Sequence, residues 1–175
     1  YSSVDGGNSW SGSVRLPVTQ FYDIAIDPTR PHRLYGGTQD NGTVRTLNGG
    51  HSDWTRILGG DGFYVVIDPN RPETIYAESQ FGALAKSTNG GDFFSSIAPA
   101  HKRANWNTPI LLDPNNSNVL YYGAEKLFRS QNGGGSWTAT SPDLSSGPHP
   151  NNPNFGTITT ISVSKTDSNV VYAGT

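Results

Sequence analysis

A glycine-rich phrase occurs four times in this chain of 175 residues and constrains its fold more than any other feature. The copies are SVDGGNSW at 3–10, TLNGGHSDW at 46–54, STNGGDFF at 87–94 and SQNGGGSW at 130–137. Successive copies begin 43, 41 and 43 residues apart. A period in this range is typical of a repeat architecture, in which each copy belongs to one structural unit.

Each period also contains strand-like segments in a fixed order. An apolar segment comes first, as YDIAIDP at 22–28, YVVIDP at 64–69, PILLDP at 109–114 and, without Asp-Pro, ITTISVSKTD at 158–167. A second segment is centred on a tyrosine: Tyr35, Tyr76, Tyr121 and Tyr172. A third leads into the glycine phrase, and a fourth begins at the aromatic residue of that phrase. The alternation has period two, and Asp-Pro and Asn-Gly steps supply the turns.

Four short strands in every 41–45 residues predict an all-β fold made of four-stranded antiparallel β-propeller blades. Residues 1–175 are predicted to form a single propeller segment with three full blades and a partial blade at each end. We expect an excerpt of a larger propeller, whose remaining blades would be its partners. In the alternative, the C-terminal strand pair closes with the N-terminal hairpin into a four-bladed ring.

The glycine phrase fits the pattern Ser-x-Asp-x-Gly-x-x-Trp, which is known as an Asp-box. The acidic position is Asp5 in the first copy but Asn48, Asn89 and Asn132 in the others. A catalytic or metal-binding carboxylate would not be exchanged for an amide in this way. We therefore interpret the phrases as structural hairpins, whose polar side chains bond to the backbone of their own turns.

The composition excludes several classes of function. The net charge of −2 and the pI near 6.0 give no basic surface for nucleic acid, and no apolar run approaches the roughly 20 residues that span a membrane. The chain has no cysteine, and its four histidines lack ligand spacing, so neither a metal nor a cofactor is predicted. The absence of methionine indicates a processed chain or a piece of a longer one. The richness in Gly, Asn, Ser, Thr and Pro favours a secreted or cell-surface protein.

With these phrases and its Asp-Pro turns, the chain resembles the Asp-box (BNR-repeat) β-propeller superfamily over nearly its whole length. The superfamily includes xyloglucanase-type glycoside hydrolases, sialidases, sortilin-like receptor ectodomains and photosystem assembly factors. The resemblance is closest to secreted bacterial BNR-repeat proteins that are similar to glycosyl hydrolases, and to sortilin-like propellers. It implies the fold but not one function, because the same scaffold carries hydrolases, receptors and assembly factors.

Two aspartates are candidate catalytic residues on the face opposite the glycine phrases. Asp40 lies in TQDNG, a loop between a second and a third strand, and Asp61 lies in GGDGF, the loop that enters the next blade. Glycoside hydrolysis requires two carboxylates flanking a cleft. The resemblance implies the same, since xyloglucanase-type enzymes place a catalytic aspartate in a loop similar to GGDGF. Alternatively, both are ordinary turn residues that bond to their own backbone.

Candidate ligand-binding residues lie on the same face. The segment HKRANWNTP at 101–109 contributes Arg103, Asn105 and Trp106, and the loops of other blades contribute Gln80 and Asn41. Trp106 belongs to no glycine phrase, and a sugar ring could stack on it beside the amides. In the alternative, Trp106 packs between blades. The long loop at 141–155 is a further candidate binding surface.

The sequence is compatible with two functions. The first is a recognition or scaffold propeller that binds glycan or protein on the loop face. The alternative is a glycoside hydrolase that uses Asp61 and Asp40 as its acid and base. A hydrolase predicts an open cleft with the two carboxyl groups roughly 5–10 Å apart. A binding scaffold predicts an apolar or aromatic patch there, with the aspartates bonded into their own turns.

Overall fold

Three four-stranded antiparallel sheets follow one another along the chain in the computed structural model, which describes residues 1–12, 19–148, 151 and 155–175. The first sheet consists of β1 (Phe21–Ile26), β2 (Leu34–Thr38), β3 (Gly42–Thr46) and β4 (Thr55–Leu58). The second consists of β5 (Gly62–Ile67), β6 (Ile75–Ser79), β7 (Ala83–Ser87) and β8 (Ser95–Ser96). The third consists of β9 (Ile110–Asp113), β10 (Asn116–Gly123), β11 (Leu127–Ser130) and β12 (Thr138–Ala139). The predicted all-β fold of four-stranded blades is confirmed.

Partial units lie at both ends of the chain, also as predicted. At the C-terminal end β13 (Thr160–Val163) pairs with β14 (Val171–Gly174) in a two-stranded sheet. At the N-terminal end Ser2 and Ser11 form an isolated antiparallel bridge across the first glycine phrase. Within each full blade the strands pair in chain order, so every connection is a hairpin. No helix among the described residues is long and apolar enough to cross a membrane.

The polar side chains of the glycine phrases bond within their own turns. In three copies the hydroxyl of the first serine accepts the N–H four residues later: Gly7 to Ser3 at 2.7 Å, Gly91 to Ser87 at 2.9 Å and Gly134 to Ser130 at 2.8 Å. In the same copies the Oδ1 atom of Asp5, Asn89 or Asn132 accepts a second backbone N–H. Because the turn needs only an acceptor oxygen there, aspartate and asparagine serve equally well.

The glycine turns also join successive blades. The carbonyl of Gly90 accepts the hydroxyl of Tyr35 at 2.8 Å and the guanidinium of Arg45 at 2.6 Å, both from the first blade. In the same way, the carbonyl of Gly133 accepts hydrogen bonds from the Tyr76 hydroxyl at 3.4 Å and from the Lys86 ammonium group at 2.8 Å, both of the second blade. Each tyrosine lies opposite its cation in the strand register. We call the end of the blades that carries these contacts the turn face.

The opposite end, which we call the loop face, holds the first two blades together through glycines. A Cβ atom placed on Gly37 would lie 1.9 Å from the carbonyl oxygen of Phe63, and one on Gly62 would lie 2.5 Å from that of Gly42. No side chain fits at such distances, so the β2 strand and the start of β5 meet backbone to backbone. The glycines beside Asp40 and Asp61 thus serve the contact between blades.

Substitution of Gly37 tests this close approach. We expect Gly37→Ala to lower the free energy of unfolding by about 1–3 kcal/mol, because the added methyl group must push the two blades apart. Urea denaturation would measure it. Gly59→Ala is the matched control, since a Cβ atom there meets nothing within 4 Å, and a change at this position equal to that at Gly37 would contradict the packing argument.

Candidate functional site

Four aromatic side chains form a continuous row across the loop face. Tyr22 packs on Phe63 with ring centroids 4.7 Å apart, Phe63 meets the edge of Trp106 at 5.9 Å, and Trp106 meets Phe81 edge-on at 4.9 Å. The row, which we call the aromatic strip, joins the first blade to the segment that enters the third. Irregular register at the start of β1, between Phe21 and Asp23, accompanies the contact between Tyr22 and β5.

Three of the four rings remain open to solvent. The exposed fraction is 41% for Tyr22, 44% for Phe81 and 44% for Trp106, whereas Phe63 is fully buried beneath them. Edge-to-face contacts fix the rings relative to one another. The strip therefore presents a rigid apolar surface in which Phe63 serves as the base.

Phe81 adopts an unusual backbone conformation. Its φ is +57°, and within the described residues only Asp40 is a second non-glycine residue with positive φ. The two occupy the same loop position in successive blades, as Thr38-Gln39-Asp40 and Ser79-Gln80-Phe81. Aspartate is tolerated in this left-handed region, but a bulky aromatic residue there is strained. Neither the turn nor the core explains a phenylalanine at this position.

Asp61 and Asp40 lie on adjacent loops that contact each other. The Oδ1 atom of Asp61 accepts the backbone N–H of Asp40 at 2.6 Å, so the half-buried Asp61 carboxylate is bonded to the loop of the preceding blade. Asp40 itself is exposed. The contact brings the two predicted catalytic residues together, and their role in catalysis stays a prediction.

Three of the predicted binding residues lie close to the strip or to these loops. Gln80 lies against Gly60, where an added Cβ atom would meet its Oε1 at 2.5 Å. Asn41 is exposed and donates from Nδ2 to the carbonyl of Gln39 at 3.0 Å. The carbonyl of Asn105 accepts the hydroxyl of Thr108 at 2.8 Å and so closes the turn that carries Trp106.

Arg103 is directed toward the long loop that begins at Ser141. Its Nη2 atom donates to Asp143 at 2.5 Å and to Ser145 at 3.1 Å, and its Nε donates to the carbonyl of Gly156 at 3.3 Å. The ion pair holds the pKa of the Asp143 carboxyl group down at about 2. These bonds anchor the described ends of the long loop to the third blade. Ligand binding by Arg103 remains a prediction.

Glu78 is a residue of the site that sequence reasoning missed. It lies on β6 with no exposed surface, and its Oε1 accepts the backbone N–H groups of Gly82 at 3.3 Å and Thr108 at 3.1 Å. Its Oε2 has no hydrogen-bond partner among the described residues. Burial raises the pKa of this carboxyl group to about 9, against the opposing effect of backbone N–H groups. Glu78 is therefore a neutral acid at pH 7, beneath the strip.

The sequence carried signals for some of the missed residues. A phenylalanine at a loop position where the preceding blade has aspartate would have drawn attention to Phe81. Glu78 stands in a strand between Ala77 and Ser79, where its burial depends on the next blade and could not be inferred locally. No group of three or more His, Cys, Asp or Glu residues in the described parts of the chain could hold a metal ion.

The raised pKa of Glu78 gives a pH-dependent stability. In the unfolded chain the group has a pKa near 4.5, whereas in the folded protein it is about 9. The folded state therefore binds the proton more tightly, and the free energy of unfolding should fall as the pH rises from about 5 to about 9. Urea titrations of the wild type and of Glu78→Gln across this range would measure it.

Glu78→Gln cannot ionise but keeps an acceptor oxygen, so its stability should fall less over the same range. All other titrating groups are common to the two proteins and cancel in the difference. Two parallel pH profiles would contradict the assignment of a buried neutral acid.

No model of a protein family matches this sequence, and no curated protein matches it either. Solved structures do match. An ancestral GH74 enzyme superimposes with a TM-score of 0.70 at 19% identity, over 87% of this chain and 21% of that chain. The GH74 xyloglucanase from Xanthomonas campestris gives a TM-score of 0.64 at 16% identity, over 86% and 26%.

A second kind of protein has the same fold. YCF48 from Cyanidioschyzon merolae gives a TM-score of 0.58 at 17% identity, over 83% of this chain and 47% of that chain. YCF48 bound to D1 peptide gives 0.53 at 17% identity, over 77% and 45%. These β-propeller proteins establish the fold of the chain, which spans from about a fifth to about half of their length.

Proposed function

We propose that this chain is a recognition segment of a larger secreted or cell-surface β-propeller protein, and that it binds polysaccharide on the aromatic strip. The main support for the proposal is Phe81, which combines a strained backbone conformation with an exposed side chain. Strain of this kind costs roughly 1–3 kcal/mol, and it persists mainly where the position serves binding or catalysis. In this strained conformation the apolar ring of Phe81 is exposed to solvent beside Trp106.

The surroundings of the strip suit a sugar ligand. Sugar rings stack on flat aromatic surfaces, while their hydroxyl groups bond to nearby amides and carboxylates. Gln80 and Asn41 supply amides on the same face, and Asp40 supplies an exposed carboxylate. Soluble xyloglucan is a suitable probe, because one structural neighbour is a xyloglucanase. If the strip binds a protein and not a polysaccharide, xyloglucan should show no binding.

Substitution of Phe81 should separate binding from stability. We expect Phe81→Asn to raise the free energy of unfolding by about 1 kcal/mol, because asparagine tolerates the positive φ. The same change should weaken binding of soluble xyloglucan about tenfold or more, since truncation of a hot-spot residue costs about 2 kcal/mol or more. Urea denaturation and affinity electrophoresis would measure the two effects.

Trp106→Ala should weaken xyloglucan binding similarly. The matched control is Trp10→Ala, because Trp10 is 63% exposed but lies on the N-terminal glycine phrase. If Trp10→Ala weakened binding as much as Trp106→Ala, or if Phe81→Asn left the affinity unchanged, the strip would not be the binding surface.

The second candidate function is glycoside hydrolysis, with Asp61 and Asp40 as the carboxyl pair. Two observations favour it: GH74 enzymes are among the structural neighbours, and the Asp61 carboxylate contacts the Asp40 loop. Asp61 follows Gly60, which lies against Gln80, and precedes Phe63 of the strip by two residues. A polysaccharide held on the strip would therefore pass near Asp61.

A hydrolase would release reducing ends from xyloglucan, and Asp61→Asn should abolish that release. The amide retains an oxygen that can accept the N–H of Asp40, so the loops should keep their positions. Reducing-sugar assays on the wild type, Asp61→Asn and Asp40→Asn would measure this. Wild-type protein that binds xyloglucan without releasing reducing ends would leave recognition as the function.

A further inference from the structure

Two loops carry the exposed rings of Phe81 and Trp106, and a single buried side chain bonds to both. The Glu78 carboxyl group accepts the N–H of Gly82, next to Phe81, and the N–H of Thr108, two residues after Trp106. The loops are also tied directly, since the N–H of Phe81 donates to the carbonyl of Trp106 at 3.2 Å. One carboxyl oxygen and one direct backbone bond thus join the two loops, beside the edge-to-face contact of their rings.

We propose that Glu78 is the positioning residue of the aromatic strip, and that it sets the binding geometry of Phe81 and Trp106 by holding both of their loops. It touches no ligand, because it is fully buried. The inference rests on the proposed function for what the strip binds, but the contacts of Glu78 stand apart from it.

The surroundings of Glu78 allow it to act only as a neutral acid. Among the described residues its Oε2 has no hydrogen-bond partner within normal distance, and no lysine, arginine or histidine forms an ion pair with it. The backbone N–H of Tyr64 acts on the carboxyl group in addition to those of Gly82 and Thr108. Tyr64 on β5 and Tyr122 on β10 lie close enough to interact with its charge, and Asp23 acts in the same way on Tyr64 and Glu125 on Tyr122. Burial raises the pKa of both tyrosines, so neither supplies a charge below pH 9. A carboxylate formed here would be buried without a cationic partner, which favours opening of the two loops to water.

While the two loops remain closed, they have little freedom to move in response to a charge on Glu78. Gly82 has a φ of +77°, and an added Cβ atom there would lie 1.8 Å from the hydroxyl oxygen of Tyr122. That hydroxyl donates to the carbonyl of Gly82 at 2.9 Å. Gly82 is therefore held from both sides, by Glu78 at its N–H and by Tyr122 at its carbonyl. We expect the strip to keep its geometry at pH 7 and to lose it as the pH rises toward 9.5.

The test requires no ligand in its first part. The chain contains three glutamates, Glu73, Glu78 and Glu125, so carboxyl-carbon NMR of glutamate-labelled protein can follow each one from pH 4 to 9.5. Amide and indole spectra would follow Gly82, Thr108 and Trp106 over the same range. We expect the Glu78 carbon to titrate near pH 9, together with the signals of Gly82, Thr108 and the Trp106 indole.

Two variants and a control complete the experiment. Glu78→Gln keeps the acceptor without the charge and should abolish the coupled shifts, whereas Glu78→Leu should displace the Gly82 and Thr108 signals even at pH 6.5. Glu125→Gln is the matched control, because Glu125 is also buried and accepts the N–H groups of Lys102 and Arg103, outside the strip. It should leave the coupled shifts as they are in the wild type.

The second part adds soluble xyloglucan. Between pH 6.5 and 9.5 we expect the wild-type affinity to fall at least tenfold and that of Glu78→Gln to change less than twofold. Absence of binding at every pH would overturn the proposed function, while the NMR arm still decides the role of Glu78. The positioning role would be overturned if the Glu78 carboxyl carbon titrated near pH 4.5, or if the Trp106 and Gly82 signals did not shift as it titrates. If Glu78→Leu does not fold, the wild type and Glu78→Gln alone still test the titration of Glu78 and its coupling to Trp106 and Gly82.

Discussion

Glycine carbonyls in two of the hairpin turns, at Gly90 and Gly133, join successive blades to one another. Each accepts a tyrosine hydroxyl and a cationic side chain from the preceding blade. Both glycines have positive φ, a backbone conformation that glycine adopts without steric cost. The side chains of the same turn are already bonded to its own backbone, so the carbonyl remains free for the neighbouring blade. The glycine phrase therefore has two roles, one local and one between blades.

The two ends of the blades are held by different physical means. On the turn face the contacts are polar and include ion pairs between blades, such as Arg33 with Glu73 at 2.8 Å. On the loop face the first two blades meet backbone to backbone at Gly37 and Gly62. Because glycines bring the strands so close there, aromatic side chains from neighbouring blades can form one strip. Site and scaffold thus depend on the same close approach.

The sequence predicts the fold well because its signals are local. Alternation of period two, Asp-Pro turns and the spacing of the glycine phrases each depend on only a few neighbouring residues, and together they predict the number and order of the strands. The site is predicted less completely. Asp40, Asp61 and Trp106 could be placed on one face from the repeat alone, but the contact of Asp61 with the Asp40 backbone joins residues 21 positions apart. Glu78 and Phe63 could not be found in this way, because their burial is created by the next blade.

In each blade a tyrosine and the cationic side chain opposite it form a pair of hydrogen-bond donors, and these pairs determine how such a chain can be lengthened. Tyr121 and Arg129 lie opposite each other on β10 and β11, in the register of Tyr35 with Arg45 and of Tyr76 with Lys86. The contact has a direction, since each blade offers donors on one side and an acceptor carbonyl on the other. A head-to-tail arrangement of this kind can be extended by one unit without altering any earlier joint. Duplication of a single period would therefore supply a blade whose partners on the existing blade are already in place.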